Sequence, residues 1–316
     1  MVAQAIAPTS TLSDFTGLDG ISPATLRDIL QLAAYLKRRG RGEPPKDSPL
    51  LGRSVALLFE KPSLRTRTTF QVGVRQLGGD AVYLGKDEVN LGVRETVADV
   101  ARNLERWVDL IVIRTFDHAR VLELAEYASV PVINALSDHE HPCQVLADLL
   151  TLEERLGPLS GVTLAYVGDG NNVVHSLVYA AAVMGINLRI ATPLGYAPDP
   201  LVIARAQAQS RGGSIRLTHD PVEAVSGAHA VYTDSWVSMG QEEQHAARLA
   251  AFKGFQVNGA LMARARAGAL FMHCLPAHRG EEVTDSVIDG PTSVVFDQAE
   301  NRLHAQKALM SLLAYT

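Results

Sequence analysis

The chain has 316 residues, of which 47% are hydrophobic and 20% charged, enough for a sizeable core and unlike a disordered or low-complexity protein. Its formal net charge of −5 argues against a general nucleic-acid binder, which carries a basic excess. No run approaches the ~20 apolar residues of a membrane span.

Met1 to Ser13 lacks the basic start and apolar stretch of a signal peptide, and the two cysteines, Cys143 and Cys274, suit a reducing compartment, so a cytoplasmic protein is expected. Along the chain, short apolar runs alternate with helical periodicity, the mark of parallel α/β folds. A first helix is predicted after Ser22, with Pro23 in its first turn, Leu26, Ile29, Leu30, Ala33 and Leu36 on one face, and Gly40 at its end. Strands are predicted at 54–59, 110–114, 130–133, 162–167, 188–191, 230–233, 270–272 and 293–296. Helices fill the intervals, one carrying Val97, Val100, Leu104 and Trp107, and a last helix is expected over about 300–313. A fresh α/β unit opens after Gly157-Pro158. The expected fold is therefore two α/β domains, each a parallel open sheet flanked by helices, with a cleft between them.

Ser63, Arg114, His141, Asn172, Asp234 and Cys274 each fall at or just after the end of an apolar strand, the edge where open α/β sheets bind ligands. In Phe59-Glu60-Lys61-Pro62-Ser63-Leu64-Arg65-Thr66-Arg67, a strand ends, Pro62 turns the chain and Ser63 caps a helix. The N–H groups of Leu64, Arg65 and Thr66 then face an anion favoured by the helix dipole, and Arg65 adds a fork suited to phosphate oxygens. Asp138-His139-Glu140-His141-Pro142-Cys143-Gln144 tempts a metal reading, but His139-x-His141 before proline matches no common zinc motif. His141 and Gln144 instead suit hydrogen bonding to a carbonyl or amide.

Val167-Gly168-Asp169-Gly170-Asn171-Asn172-Val173 has a Gly-x-Gly pair, yet Val173 stands where a dinucleotide fingerprint needs glycine. Two asparagines at a helix entrance suit an amino-acid carboxylate equally well. Asp234, in Asp234-Ser235-Trp236-Val237-Ser238-Met239-Gly240, can pair with an ammonium. Cys274, beside His273, reads as a nucleophile or as a buried thiol, and no Asp or Asn partner is evident from spacing. Glu300-Asn301-Arg302 brings one more guanidinium.

Together these strings resemble the aspartate/ornithine carbamoyltransferase family over nearly the whole chain. The Ser63-to-Arg67 string is common to both branches, whereas Asp234 to Gly240 and His273-Cys274-Leu275-Pro276 are similar to the ornithine branch. The resemblance implies transfer of a carbamoyl group from carbamoyl phosphate to the δ-amine of L-ornithine, giving L-citrulline and phosphate in arginine metabolism. N-acetylornithine or putrescine is the alternative acceptor. It implies a carbamoyl phosphate-binding domain over 1–150, joined by the helix 300–316, and an ornithine-binding domain over 151–299. No metal or other cofactor is implied, and the assembly is a homotrimer or a multiple of trimers with its site at a subunit interface.

By the same resemblance Ser63, Leu64, Arg65 and Thr66 hold the phosphate, and Arg114, His141 and Gln144 the carbamoyl end. Asn172, Asp234, Ser238 and Met239 fix the acceptor's α-carboxylate and α-amino group. Cys274 and Leu275 lie beside the attacking amine, and Arg302 reaches the donor. Asn90 stands where relatives often place a longer Gln or His to reach the neighbouring subunit's site, and Leu64 where Thr is common. The amine must attack in its neutral form although its solution pKa resembles that of lysine, ~10.4. Cys274 and Asp234 are therefore expected to steer the proton, with activity rising toward alkaline pH.

Overall fold

The structure is a computed structural model in which residues 12–40, 48–237, 240 and 242–314 are described. The chain divides into two compact units, Met1–Leu150 with Glu300–Thr316, and Thr151–Ala299. In the first unit, helix α1 (Pro23–Arg39) forms as its sequence dictates: the Ser22 side chain accepts the Thr25 N–H, Pro23 needs no partner there, and Gly40 closes the helix at φ 77°.

The first unit is built on a four-stranded parallel sheet in the order β2 (Asp80–Gly85), β1 (Ser54–Phe59), β3 (Leu110–Arg114), β4 (Val132–Leu136). β3 and β4 are buried throughout and β1 nearly so, which is why they read as continuous apolar runs. β2 is a half-exposed edge strand that the sequence pattern did not reveal. The fourth strand lies over Val132–Leu136 instead of 130–133, because it runs on through Asn134, a buried polar residue whose Nδ2 donates to Thr16 O. Register slips between Ile113 and Arg114, so that Arg114 faces Leu136. Bulges of this kind re-aim a side chain at a strand end.

The second unit holds a five-stranded parallel sheet in the order β7 (Ser214–Thr218), β6 (Asn187–Ala191), β5 (Thr163–Val167), β8 (Ala230–Thr233), β9 (Leu270–His273). β7, an edge strand whose Ser-Ile-Arg-Leu-Thr run is exposed or half-buried, is likewise absent from the sequence-based expectation. The core beneath this sheet includes Trp236 stacked on Phe252 with ring centroids 5.3 Å apart. The expected strand over 293–296 does not form. Ser293 makes a single bridge to Phe271, and Val295 already opens the helix Val295–Leu313, which starts earlier than the predicted last helix. A β-branched run had mimicked a buried strand. The chain leaves the first unit within the helix Pro142–Leu156, before Gly157-Pro158.

Both orders place a topological switch point, between β1 and β3 and between β5 and β8. Connections diverge to opposite faces there, leaving an opening at the carboxyl ends of the strands. Ser63 follows β1 and Arg114 ends β3, while Asn172 and Asp234 follow β5 and β8.

Candidate active site

In the first unit, β1 runs into helix α2 (Leu64–Gln76), which Ser63 caps by accepting the Thr66 N–H at 3.1 Å. This satisfies one of the free donors of the first turn and leaves others facing outward with the positive end of the helix dipole. Leu64, at the first position of this helix, is 79% exposed.

Two buried guanidinium groups converge on this helix start. Arg114 Nη1 donates to Thr66 Oγ1 at 3.4 Å, and Arg302 Nη2 donates to the same oxygen at 2.6 Å. Arg302 Nη1 also donates to Gln144 Oε1, while Gln144 Nε2 donates to Asp148 Oδ1 at 2.8 Å. Asp148, Gln144, Arg302 and Thr66 thus form one relay in which each group fixes the orientation of the next.

His141 is buried beside these cations. Burial first, then the charges of Arg302, Arg114, Arg65 and Lys61, hold its imidazole well below the usual histidine range. It is therefore neutral at neutral pH and keeps one N–H to donate. His139 does not join it. Its ring lies 5.1 Å from that of His118. Cys143 is a packing residue, with its Sγ donating to Asn134 O at 3.4 Å and its thiol pushed up to about 12 by burial.

The sequence assigned no role to Lys61 or Glu60. Lys61 is buried with its Nζ 4.0 Å from the centre of the Phe116 ring, and burial together with Arg114 lowers its pKa. Glu60 accepts hydrogen bonds from Thr115 Oγ1 and, at 2.7 Å, from Arg120 Nη1, tying the end of β1 to the residue after Arg114. A charged pair sandwiched between an apolar strand and a capping serine was the available signal. Asn90 is exposed at φ 46°, a left-handed turn that closes the helix Lys86–Val89 and that asparagine tolerates.

In the second unit, Asn171 is the helix cap, not Asn172. Its Oδ1 accepts the N–H groups of Val173 and Val174 at 3.0 and 3.3 Å. Its Nδ2 donates to Asp234 Oδ2 at 2.7 Å, while Asn172 opens the helix and is half-buried. Asp234 Oδ1 accepts from the Ser235 N–H at 2.8 Å and from Cys274 Sγ at 2.9 Å. Cys274 therefore does have an acid partner, supplied by a strand 40 residues away in sequence and so invisible to local spacing.

Leu275 takes φ 58°, an uncommon value for a bulky residue, and its N–H bonds His273 Nδ1 at 2.8 Å. Ser238 and Met239 lie outside the described residues. The stretch before them is anchored by Arg248, whose Nη1 reaches both Trp236 O at 2.8 Å and the buried Asp169 at 2.9 Å. Asp169 and Arg248 carry no role in the sequence reading, because their contact joins residues 79 positions apart. Gly170 is required by packing: a Cβ there would stand 2.3 Å from Pro198 N and 2.4 Å from Ala197 C. That close approach accounts for the glycine without a dinucleotide.

Known proteins resemble this chain over both units. Residues 13–154 match the model of the carbamoyl-P binding domain of aspartate/ornithine carbamoyltransferases, and residues 160–313 that of the Asp/Orn binding domain. The chain is 54% identical over 302 residues to an ornithine carbamoyltransferase of Symbiobacterium thermophilum, covering 95% of this chain and 97% of that one. It is 53% identical over 314 residues to that of Thermus thermophilus, covering 99% of each. The ornithine carbamoyltransferase structure from Pyrococcus furiosus superposes with a TM-score of 0.92 at 50% identity, covering 96% of this chain and 97% of that one. The chain belongs to the aspartate/ornithine carbamoyltransferase family.

Proposed function

We propose that the protein is an ornithine carbamoyltransferase, moving the carbamoyl group of carbamoyl phosphate to the δ-amine of L-ornithine to give L-citrulline and phosphate in arginine metabolism. The observation that carries the donor assignment is the convergence of Arg114 and Arg302 on Thr66, at a helix start capped by Ser63. A phosphate dianion is held by backbone N–H groups and planar guanidinium donors, and the first unit gathers both. Ser63, Leu64, Arg65 and Thr66 hold the phosphate, with Arg302 beside it. Arg114, neutral His141 and Gln144 face the carbamoyl group.

In the second unit, Asp234 takes the α-ammonium group and Asn172 the α-carboxylate, with Ser238 and Met239 completing that end. The amine nitrogen attacks the carbamoyl carbon, a C–N bond forms, the C–O bond to phosphate breaks and the phosphate leaves with its electron pair. The oxyanion formed on the way needs donors already in place, a role for Arg114, His141 and Thr66. Two protons leave the nitrogen, one before attack and one after it. The Cys274 thiol, hydrogen-bonded to Asp234, lies with Leu275 at the acceptor and steers them.

By the same reading the working form is a homotrimer or a multiple of trimers in which Asn90 faces the neighbouring subunit's site. The enzyme acts in the cytoplasm; among the described residues no helix is long and apolar enough to cross a membrane. A colorimetric citrulline assay tests the assignment. L-ornithine should turn over at least a hundredfold faster than N-acetylornithine, putrescine or aspartate, with a rate that climbs from pH 7 to 9. Preference for any of the other three, or a flat profile under saturating donor, would contradict it.

A further inference from the structure

We infer that His278, Glu281 and Glu282 form a binding site for a divalent transition metal of the zinc type. The segment after β9 brings a ring nitrogen of His278 and a carboxylate oxygen of each glutamate within 4.8 Å of one another. Imidazole nitrogen and carboxylate oxygen are ordinary zinc donors, and three protein ligands leave a fourth position for water. Tetrahedral ligands bound at ~2.0–2.2 Å stand roughly 3.4 Å apart. A closure of up to about 1.4 Å is within reach of His278 and Glu281, whose side chains are 48% and 28% exposed.

A second, independent feature points the same way. Glu282 is wholly buried, and its two oxygens are treated unequally. Oε1 accepts the His278 N–H at 2.5 Å and the His273 ring at 3.2 Å. The His273 Nδ1 accepts the Leu275 N–H, so Nε2 carries the proton and must be the donor to Glu282. Oε2 accepts no hydrogen bond among the described residues, and it lies 3.8 Å from His278 Nδ1. A bare carboxylate oxygen in a buried position is costly unless a cation meets it.

The surroundings suit a dication. His245 Nε2 lies 3.3 Å from Glu281 Oε1 and orients that carboxylate from the start of the helix His245–Ala251. Arg279, next in sequence to His278, does not oppose the ion, because its guanidinium is committed to Asp285 at 2.7 Å and Asp289 at 2.6 and 2.8 Å. With neutral imidazoles the two glutamates supply two negative charges against two positive ones.

The test is metal titration of the full-length protein by calorimetry with Zn2+ and by absorption with Co2+, in phosphate-free buffer. Asp234, His273 and Cys274 also bring ligand-type atoms within 4.8 Å, so the spectrum must separate the two groups. The expected result is one Co2+ per chain without a thiolate charge-transfer band, at a dissociation constant of micromolar order, persisting in Cys274→Ser. His278→Ala and Glu281→Gln, at partly exposed positions that should leave the fold intact, should each weaken it at least tenfold. Unchanged binding in both variants, uptake that vanishes with Cys274→Ser, or no uptake below millimolar metal would overturn the inference. So would a titration showing that His278 meets Oε2 as an imidazolium and that the protein takes up no metal.

Discussion

Arg302→Met is the most direct test of the donor site. The substitution keeps most of the buried volume and removes a guanidinium that serves both Thr66 Oγ1 and Gln144 Oε1. A lost contact to charge developing in a preorganised site costs about 3–4 kcal/mol. At 1.36 kcal/mol per tenfold, kcat/KM for carbamoyl phosphate should fall by ~10²–10³, while the KM for ornithine changes little. Arg302→Lys keeps the charge but serves only one of the two acceptors, so it should fall between wild type and Arg302→Met. A further effect follows from His141, whose depressed pKa owes its second-largest contribution to Arg302. Removing that charge lets the imidazole titrate at higher pH, so the acid limb of kcat/KM should move upward in the variant. Steady-state kinetics from pH 5 to 9, with melting curves to verify folding, measure both effects. A variant that folds and keeps kcat/KM for the donor within about fivefold of wild type would refute the assignment of Arg302.

Gly170→Ala forces a Cβ against the backbone of Ala197 and Pro198, and overpacking of this kind costs about 1–3 kcal/mol; chemical denaturation should show that loss, and an unchanged midpoint would contradict the close approach. A thiol reagent at pH 8 should modify Cys274 and spare Cys143, which is buried with a pKa of about 12; mass spectrometry of the native protein finding Cys143 labelled first would overturn this. Lys307 is lowered to about 8 by burial and Arg39, against 10.5 as its ordinary value. Between those values the unfolded chain binds the extra proton, so this residue makes stability rise as pH rises through that window. Melting temperatures of wild type and Lys307→Met compared at pH 7.5 and 9.5 should show the rise in wild type, diminished in the variant.

What the sequence made legible depends on whether the causes were local. β1, β3, β5 and β8 are largely apolar runs, rich in Val, Ile, Leu, Ala and Tyr and almost wholly buried, and such runs announce themselves. β2 and β7 are edges, where exposed and half-buried positions mix polar with apolar residues and dilute the signal. The run at 293–296 failed for the converse reason, since β-branched residues at a helix start resemble a strand until tertiary contacts decide. At the site, Ser63 was readable because capping is a matter of three residues. The Thr66–Arg302 contact was not, its partners lying 236 positions apart, and neither was the Asp234–Cys274 bond. Asn171 and Asn172 show the limit between the two cases: composition indicates a helix entrance, but only geometry decides which asparagine caps it.

The cations around His141 raise a question of consistency, because a phosphate dianion would neutralise the charges that help keep the imidazole neutral. Burial, however, is the first cause of its lowered pKa, ahead of Arg302 and Arg114. Burial therefore holds the imidazole pKa down whether or not a dianion meets the cations. Under the proposed function, a neutral imidazole at that point would donate its N–H to the carbamoyl oxygen without adding a proton that competes with the amine's own loss of one. Orientation is kept as well, since Gln144 is held by Asp148 independently of any ligand. The groups of the proposed donor site are thus arranged before any ligand arrives, and the entropy of positioning them is met in folding, not in each turnover.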